Sequence, residues 1–166
     1  DIYLLGASSD NLKKLTDDKY HDIYPSFLNN STTVIFSSNR NSIDLENIQS
    51  SENVSEYYNL YLYNLDTTST KLYKLTNTLA NNIKAKPLTD NKVLYLSDIR
   101  GISNIFTLSI DGNSKQVTDF NTNIINYFYD EIDKNLYFNN LFEGNIIARN
   151  ISDFDISESR FGVSIN

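Results

Sequence analysis

The sequence predicts an all-β fold, a β-propeller segment of four-stranded antiparallel blades that forms an incomplete ring. A phrase of two short apolar runs around a polar turn occurs three times, ending in Leu15-Thr16, Leu75-Thr76 and Val117-Thr118. The last two copies lie 42 residues apart, which matches the roughly 40–45 residues of a four-stranded propeller blade. Tyr and Phe, with 12 and 9 copies, favour strands, whereas helix signals are weak throughout.

Composition limits the class of protein. The 166 residues are enough for one domain with a hydrophobic core. A formal net charge of -7 argues against the basic surface with which proteins bind nucleic acid. Because cysteine is absent, disulfides, thiolate chemistry and cysteine-ligated zinc are excluded, which fits either the cytosol or an envelope protein. No apolar run approaches the roughly 20 residues that span a bilayer, so no direct membrane span is expected in this segment.

The first elements are half a blade followed by a long blade. The opening residues 1–16 are predicted to form the last two strands of a unit. Thr76 follows Thr16 by 60 residues, and an insertion at Asn41–Tyr58 accounts for the extra length. Alternating polarity and polar turns divide the long unit into four strands: Ile23–Phe27, Val34–Ser38, Asn59–Asn64 and Leu72–Leu75.

The next unit repeats the four strands without an insertion. Its turns are "TDN" and "DGNS", and Asp-Gly is a strong hairpin signal. The predicted strands are Ile83–Leu88, Val93–Ser97, Asn104–Ile110 and Lys115–Thr118. A third unit supplies three more: Ile124–Tyr129, Asn135–Asn139 and Asn145–Ile151. Short turns join these strands, so they are expected to pair antiparallel.

The predicted domain is a half blade at 1–16 and blades at about 17–77, 78–119 and 120–152. Residues 153–166 are predicted to be a tail or the start of a next blade. Propellers have about four to eight blades, so just over three units cannot close the ring. We expect the missing blades to lie outside this sequence. An ordinary β-sandwich with accidental similarity between its strands is the alternative.

Several motifs resemble a known family. They read "HDIYPSF" (His21–Phe27), "VIFSSNRNS" (Val34–Ser42), "VLYLSDIRGISNIFTLSIDG" (Val93–Gly112) and "KLT" (Lys74–Thr76). Together, over roughly residues 1–152, they resemble the WD40-like repeats of TolB-type β-propellers. The resemblance implies a bacterial envelope setting, periplasmic or associated with the outer membrane, and protein–protein interaction as the role. The sequence departs from the pattern at "NNLFEG", where an acidic residue and an Arg are expected.

No catalytic, metal-binding or cofactor-binding residue is predicted. The chain has one histidine, His21, and no G-x-S-x-G nucleophile elbow. It also lacks EF-hand spacing and a glycine-rich phosphate loop. We expect His21 to pack or hydrogen-bond at a blade edge, with a base or metal ligand as the alternative. Asp98 and Arg100, with Asn39 and Arg40 as their counterparts, are interpreted as turn-stabilising pairs rather than a binding site.

The insertion is the most distinctive local feature. It carries four carboxylates without a Lys or Arg and ends in two tyrosines, so we interpret it as a partner-binding loop on a rigid scaffold. The candidate partner-binding residues are Asp44, Glu46, Glu52, Glu56, Tyr57 and Tyr58. The alternative is a tolerated surface loop, because added loop length costs little closure entropy.

These observations predict a non-enzymatic protein–protein interaction scaffold of a bacterial cell-envelope assembly, with protein partners and without a cofactor. Two alternatives stay open. The blades could be the gating propeller of a larger serine peptidase, which a hydrolase domain beside this segment would indicate. They could also form a carbohydrate-binding module rich in Tyr and Asn, although aromatic residues in strands more often belong to the core.

Overall fold

A computed structural model describes residues 1–6, 11–29, 31–46, 53–143 and 145–151. These residues form thirteen strands and no helix. The strands are β1 Tyr3–Leu5, β2 Leu12–Lys14, β3 Asp22–Phe27, β4 Thr33–Ser38, β5 Asn59–Asn64, β6 Tyr73–Lys74, β7 Asn82–Thr89, β8 Lys92–Ser97, β9 Asn104–Ser109, β10 Ser114–Gln116, β11 Ile124–Asp130, β12 Asn135–Phe142 and β13 Asn145–Ile151.

The strands form four antiparallel sheets in chain order. Sheet 1 contains β1 and β2, sheet 2 contains β3 to β6, sheet 3 contains β7 to β10, and sheet 4 contains β11 to β13. Within each sheet every strand pairs with the next strand along the chain. This is the predicted all-β architecture of four-stranded antiparallel blades. The limits of the blades stay a prediction, and the predicted tail at 153–166 lies outside the described residues.

The fourth strands β6 and β10 are shorter than predicted, because their pairing with the third strand becomes irregular at the C-terminal end. In sheet 2 the N–H groups of Leu75 and Thr76 both point to Leu60 O, at 2.8 and 3.4 Å. In sheet 3 the N–H groups of the two corresponding residues both point to Ile105 O, at 2.8 and 3.2 Å. Two donors on one acceptor interrupt regular pairing, so the strand ends before the recurring threonine.

The hydrophobic core lies between successive sheets. On β4, Ile35 faces sheet 3, whereas Val34 and Phe36 face sheet 1. On β8, Leu94 packs towards sheet 4 and Tyr95 packs towards sheet 2. Side chains of a strand point alternately to its two faces, so a middle strand between two neighbouring sheets is apolar almost throughout. This explains the continuous apolar runs "VIF" and "VLYL".

The recurring threonine bridges two strands of its own sheet. In sheet 3 the Thr118 hydroxyl donates to Asn104 Oδ1 at 2.9 Å and accepts from the Ile105 N–H at 2.9 Å. In sheet 2 Thr76 makes the same two bonds, to Asn59 Oδ1 at 3.0 Å and from the Leu60 N–H at 2.8 Å. We call this arrangement the threonine bridge.

The half blade carries the same device in part. The Thr16 hydroxyl accepts from the Ile2 N–H at 2.8 Å, and Thr16 is 1% exposed. A hydroxyl can donate once and accept as well, so one small side chain satisfies two buried polar groups of its blade. The repeat that is visible in the sequence is therefore a hydrogen-bonding repeat.

The four sheets form an open stack, and no closed ring is present among the described residues. Both ends of the stack expose apolar side chains. Leu5 and Leu12 of sheet 1 are 66% and 63% exposed, and Phe128 of sheet 4 is 63% exposed. The predicted incomplete ring is therefore confirmed for the part of the chain that the structure describes.

Candidate functional site

The first described part of the insertion covers a strand edge. Residues 43–45 lie antiparallel to residues 70–72 through two backbone hydrogen bonds of 3.0 and 2.7 Å. Asp44 and Lys71 form the bridge between these segments. Leu45 is half-buried and packs on the apolar cluster between sheets 1 and 2. Covering an edge in this way protects its unpaired backbone groups from other chains.

The later residues of the insertion occupy a different place. Glu56 is exposed, and Tyr57 and Tyr58 are half-buried at the start of β5. The Tyr58 N–H donates to Asn81 Oδ1 at 3.3 Å, and its hydroxyl lies 3.5 Å from His21 Nδ1. Tyr58 therefore lies where sheet 2 meets sheet 3.

The six predicted binding residues do not form one cluster among those that the structure describes. Because β6 pairs antiparallel with β5, the edge beside Asp44 and the tyrosines lie at opposite ends of β5. Glu46 is exposed, and its N–H donates to Asp44 Oδ1 at 3.0 Å. Glu52 lies outside the described residues. The partner-binding role of all six stays a prediction.

A groove runs along the first strands β3, β7 and β11 of sheets 2, 3 and 4. It consists of two clefts that share Tyr24. The lysine cleft, of about 370 Å³, is lined by Tyr24, Pro25, Lys84, Lys86, Asn126 and Tyr127. The junction cleft, of about 380 Å³, is lined by Ile23, Tyr24, Tyr58, Asn81, Ile83, Asp98 and Ser103. Both volumes lie within the roughly 300–1,000 Å³ of small-ligand sites in proteins.

Backbone irregularities aim side chains into this groove. The ladder shifts register between Ile23 and Ser26 in sheet 2 and between Ile83 and Lys86 in sheet 3. Within these bulges Tyr24 and Lys84 have φ angles of 54° and 57°. Non-glycine residues rarely adopt such angles, and bulges often redirect a side chain beside a functional site.

The lysine cleft has a defined set of internal contacts. Lys84 Nζ donates to Ile125 O at 2.7 Å and lies 5.4 Å from the centre of the Tyr24 ring. The Tyr127 hydroxyl lies 2.6 Å from Lys84 O and 2.7 Å from Leu94 O, so its single proton is shared between two carbonyl acceptors. Burial raises the pKa of Tyr127, so its hydroxyl stays a donor well above neutral pH.

The junction cleft is held by amide and carboxylate groups. The backbone and side-chain nitrogens of Asn81 donate to the two Asp98 carboxylate oxygens at 2.7 and 2.8 Å. In sheet 2, Asn39 Oδ1 accepts from the His21 N–H at 2.8 Å. Asn39 and Asp98 thus accept equivalent backbone hydrogen bonds in successive sheets. This agrees with their interpretation as turn-stabilising residues. His21 lies at the edge of its sheet, exposed and hydrogen-bonded.

Arg40 and Arg100 are not equivalent, which corrects the expectation from the sequence. Ser38 pairs with the first residue of β3, and Ser97 pairs with the first residue of β7. Counting from these serines, Arg40 corresponds to Ile99. Arg40 is 1% exposed, whereas Arg100 is exposed. A short sequence similarity made the two arginines look equivalent, because such a similarity shows neither strand register nor burial.

Arg40 belongs to a buried ion-pair network. Its Nη2 donates to both carboxylate oxygens of Asp22 at 2.8 and 2.7 Å, and its Nε donates to Ser38 Oγ at 3.0 Å. Its Nη1 lies 3.1 Å from Asp18 Oδ2, near enough for an ion pair but not aligned for a hydrogen bond. The Tyr61 hydroxyl donates to Arg40 O at 2.6 Å. All charges in this network are sequestered from ligands.

The described ranges contain no group of three His, Asp or Glu side chains that could hold a metal ion. Helices long and apolar enough to cross a membrane are also absent from those ranges. The groove along the first strands, with its two clefts, is the candidate functional site.

Comparisons with known proteins agree with this architecture. No family model and no curated protein sequence matches the chain. Among solved structures it is similar to the putative TolB from Agrobacterium tumefaciens, with a TM-score of 0.69 and 11% identity. The match covers 91% of this chain and 52% of that one. It is also similar to TolB from Acinetobacter baumannii, with a TM-score of 0.60, 15% identity, and 90% and 37% coverage.

The chain has a TolB-like propeller fold. The resemblance of its repeats to TolB-type repeats is therefore confirmed at the level of the fold. A puromycin-hydrolyzing peptidase from Mycobacterium tuberculosis is similar as well, with a TM-score of 0.65, 9% identity, and 86% and 22% coverage. The chain spans about half or less of the length of each of these three structures.

Sequence reasoning did not single out the residues of the lysine cleft in this TolB-like fold. One signal was available. Pro25 and Pro87 both lie in first strands, and a proline inside a strand marks an edge or a bulge. The irregular segments "YPS" and "KAKP" could thus have been assigned to the first strands as bulges, with Tyr24, Lys84 and Lys86 beside them.

Proposed function

We propose that this chain is a non-enzymatic protein–protein interaction scaffold of a bacterial cell-envelope assembly. The observation that carries the proposal is the groove along β3, β7 and β11, with its two clefts on a rigid stack of sheets. Grooves that are exposed on a rigid scaffold are common places for binding. The resemblance to TolB-type repeats supports a location in the periplasm or at the outer membrane.

The insertion belongs to this proposal in two ways. Its tyrosine end contributes Tyr58 to the junction cleft, so a partner in the groove would meet it. Its acidic start, with Asp44 and Glu46, offers a second contact surface on the edge of sheet 2. Nucleic acid is not a partner in this proposal, because the net charge is -7.

Site-specific photo-crosslinking in cells that produce the natural protein tests the proposal. A benzophenone amino acid replaces Asn126, which is exposed in the lysine cleft, or Ile132, which is 91% exposed in the turn after the same strand. We expect discrete protein adducts from position 126 and none from position 132. Equal adduct yields at both positions, or no adduct at position 126, would contradict a binding role for the groove.

A gating propeller in a larger peptidase is a second candidate, favoured by the similarity to the puromycin-hydrolyzing peptidase. The sequence that flanks this segment in the natural protein discriminates between the two. A hydrolase domain there would favour the peptidase, whereas a signal for envelope targeting without a hydrolase domain would favour the scaffold.

A further inference from the structure

We propose that the lysine cleft binds an acidic segment of a protein partner, in extended conformation, through the side-chain carboxylates of its Asp or Glu residues. The inference rests on the proposed scaffold function and names the chemistry of the partner. Lys84 and Lys86 bind the carboxylates, and Tyr24 packs against an apolar or aromatic side chain of the same segment.

The charge of the cleft is opposite to that of the whole molecule. The chain carries 14 Lys and Arg against 21 Asp and Glu. The described residues that line the cleft nevertheless include two lysines and no carboxylate. Screening limits surface charges to a range of about 8–10 Å at ordinary salt, so the two lysines outweigh the distant carboxylates of the chain at this cleft.

Lys84 is held in place before any ligand arrives. Its backbone is left-handed, with φ 57°, and its carbonyl lies 2.6 Å from the Tyr127 hydroxyl. Its ammonium lies against the Tyr24 ring and donates to Ile125 O. A left-handed backbone is unfavourable for a non-glycine residue and persists only where surrounding contacts fix it. A preorganised cation loses less entropy when it binds.

The ammonium keeps donors for a ligand. A lysine ammonium has three N–H groups, and Ile125 O takes one of those of Lys84. Lys86 is exposed two positions further along β7. Two residues along a strand span at most roughly 7 Å, a separation that carboxylates at alternate positions of an extended segment can match.

The shape of the groove favours an extended segment over a small free carboxylate. The lysine cleft is about 370 Å³ and continues through Tyr24 into the junction cleft of about 380 Å³. A chain that places its carboxylates at the lysines can therefore continue past Tyr24. Tyr24 is 44% exposed, which leaves part of its ring for an apolar side chain of the partner.

Fluorescence anisotropy with two labelled peptides tests the inference on the purified natural protein. One probe is acetylated and amidated Gly-Asp-Tyr-Asp-Gly, and the other carries Asn in place of both Asp residues. Two exposed charge contacts predict about tenfold tighter binding of the acidic probe at low salt, with the difference shrinking as salt rises. Equal affinity for both probes would overturn the proposal.

A pair of variants with matched controls locates the binding site. The Lys84→Gln and Lys86→Gln double variant is expected to lose the preference for the acidic probe. The Lys13→Gln and Lys134→Gln double variant is expected to keep it, although it removes the same charge; Lys134 is also left-handed, with φ 51°. Equal loss in both variants would show general charge attraction and would also overturn the proposal.

The result can be separated from the fate of the scaffold function. Adducts at Asn126 together with no preference for the acidic probe would refute the acidic partner and leave the scaffold standing. A probe with a free C-terminal carboxylate and no Asp is the remaining arm. If it binds as tightly as the acidic probe, the cleft recognises a chain end and the proposal for side-chain carboxylates is wrong.

Discussion

At the scale of single residues, the threonine bridge gives the repeated Leu/Val-Thr phrase a physical reason. Thr118 is fully buried, and its hydroxyl contacts a side-chain oxygen and a backbone N–H in the same sheet. A serine could form the same bonds, but the threonine methyl also fills the buried space. Valine has that shape without the hydroxyl.

The Thr118→Val variant should lose about 1–3 kcal/mol of unfolding free energy, because the buried Ile105 N–H is left without its acceptor. Urea denaturation followed by circular dichroism measures the change. Thr107→Val is the matched control on the neighbouring strand. The Thr107 hydroxyl is half-exposed and makes only a long 3.4 Å bond to Lys115 O, so a change below about 0.5 kcal/mol is expected there. Similar losses for both variants would contradict the role of the bridge.

Residues differ in how far the sequence reveals them. Thr16, Thr76 and Thr118 were found because one residue type recurs at the same place in each unit. Lys84 and Tyr24 were not found, because their placement depends on bulges and φ angles that arise only when strands pair. Arg40 was assigned wrongly, since its burial depends on two carboxylates that lie 18 and 22 residues earlier in the chain.

At the scale of the sheet, two successive blades solve one packing problem in different ways. In sheet 2, Asp18 and Asp22 surround the guanidinium of Arg40, whose side chain is completely buried. The equivalent positions of sheet 3 are found by counting from the bridging threonine that precedes each sheet and from the serine that ends each second strand. They carry Thr78, Asn82 and Ile99. There the Asn82 amide nitrogen donates to the Thr78 hydroxyl at 2.7 Å. One blade is ionic at this point and its neighbour is neutral.

Replacing the ionic residues of sheet 2 by the neutral residues of sheet 3 tests whether the two arrangements are interchangeable. Arg40→Ile alone should cost about 3–5 kcal/mol, because two buried carboxylates lose their partner. Adding Asp18→Thr and Asp22→Asn should recover at least about 2 kcal/mol of that loss, since well-packed neutral groups can replace a buried ion pair. Thermal and urea unfolding of the three-position variant decide the matter. A triple variant no more stable than Arg40→Ile would refute this account.

The insertion contains a structural element that the sequence did not predict. Alternation and turn residues located the strands of each sheet, because burial on two faces leaves a clear pattern in the sequence. The insertion has no such pattern. Its residues 43–45 add an edge to sheet 2, which follows from backbone pairing with residues 70–72 and from the packing of Leu45. Edge pairing needs few side chains, so the sequence did not reveal it.

At the scale of the whole molecule, tyrosines between the sheets link stability to pH. Burial raises the pKa of Tyr61, Tyr95 and Tyr127 above the ordinary 10.0, although Arg40 and Ser114 oppose the shift at the first two. Above pH 10 the unfolded chain releases these protons, whereas the folded chain keeps them. Stability should therefore be unaffected by these groups below about pH 9 and fall as the pH rises above 10.

Urea unfolding between pH 8 and pH 11 measures this effect. Each such tyrosine contributes a loss of at most about 1.4 kcal/mol per pH unit. Tyr61→Phe should make the decline shallower, whereas Tyr73→Phe, at an exposed tyrosine, should leave it as in the parent protein. Burial lowers the pKa of Lys74 from the ordinary 10.5, so this lysine makes stability rise with pH below pH 10.5. All the proteins compared contain Lys74. An identical slope in Tyr61→Phe and the parent would contradict the prediction.

The architecture of the whole molecule was the part most accessible from sequence. Repetition strengthens a weak signal, because each unit shows the same order of strands and turns. The period of 42 residues then indicates a four-stranded propeller blade. The groove could not be predicted in this way. It lies between sheets, and its lining combines three first strands that are about 40 to 60 residues apart in the chain.

The threonine bridge also bears on how such a chain can change its length. Because the bridge joins two strands of one blade, each unit satisfies these buried polar groups without help from its neighbours. The surfaces between units are mainly apolar, with a few hydrogen bonds across them, such as those of the Tyr127 hydroxyl. Tandem duplication or loss of a 42-residue gene segment therefore breaks no bridge and leaves apolar faces that match. Copy number in this architecture is open to evolution, and to the protein engineer, one whole blade at a time.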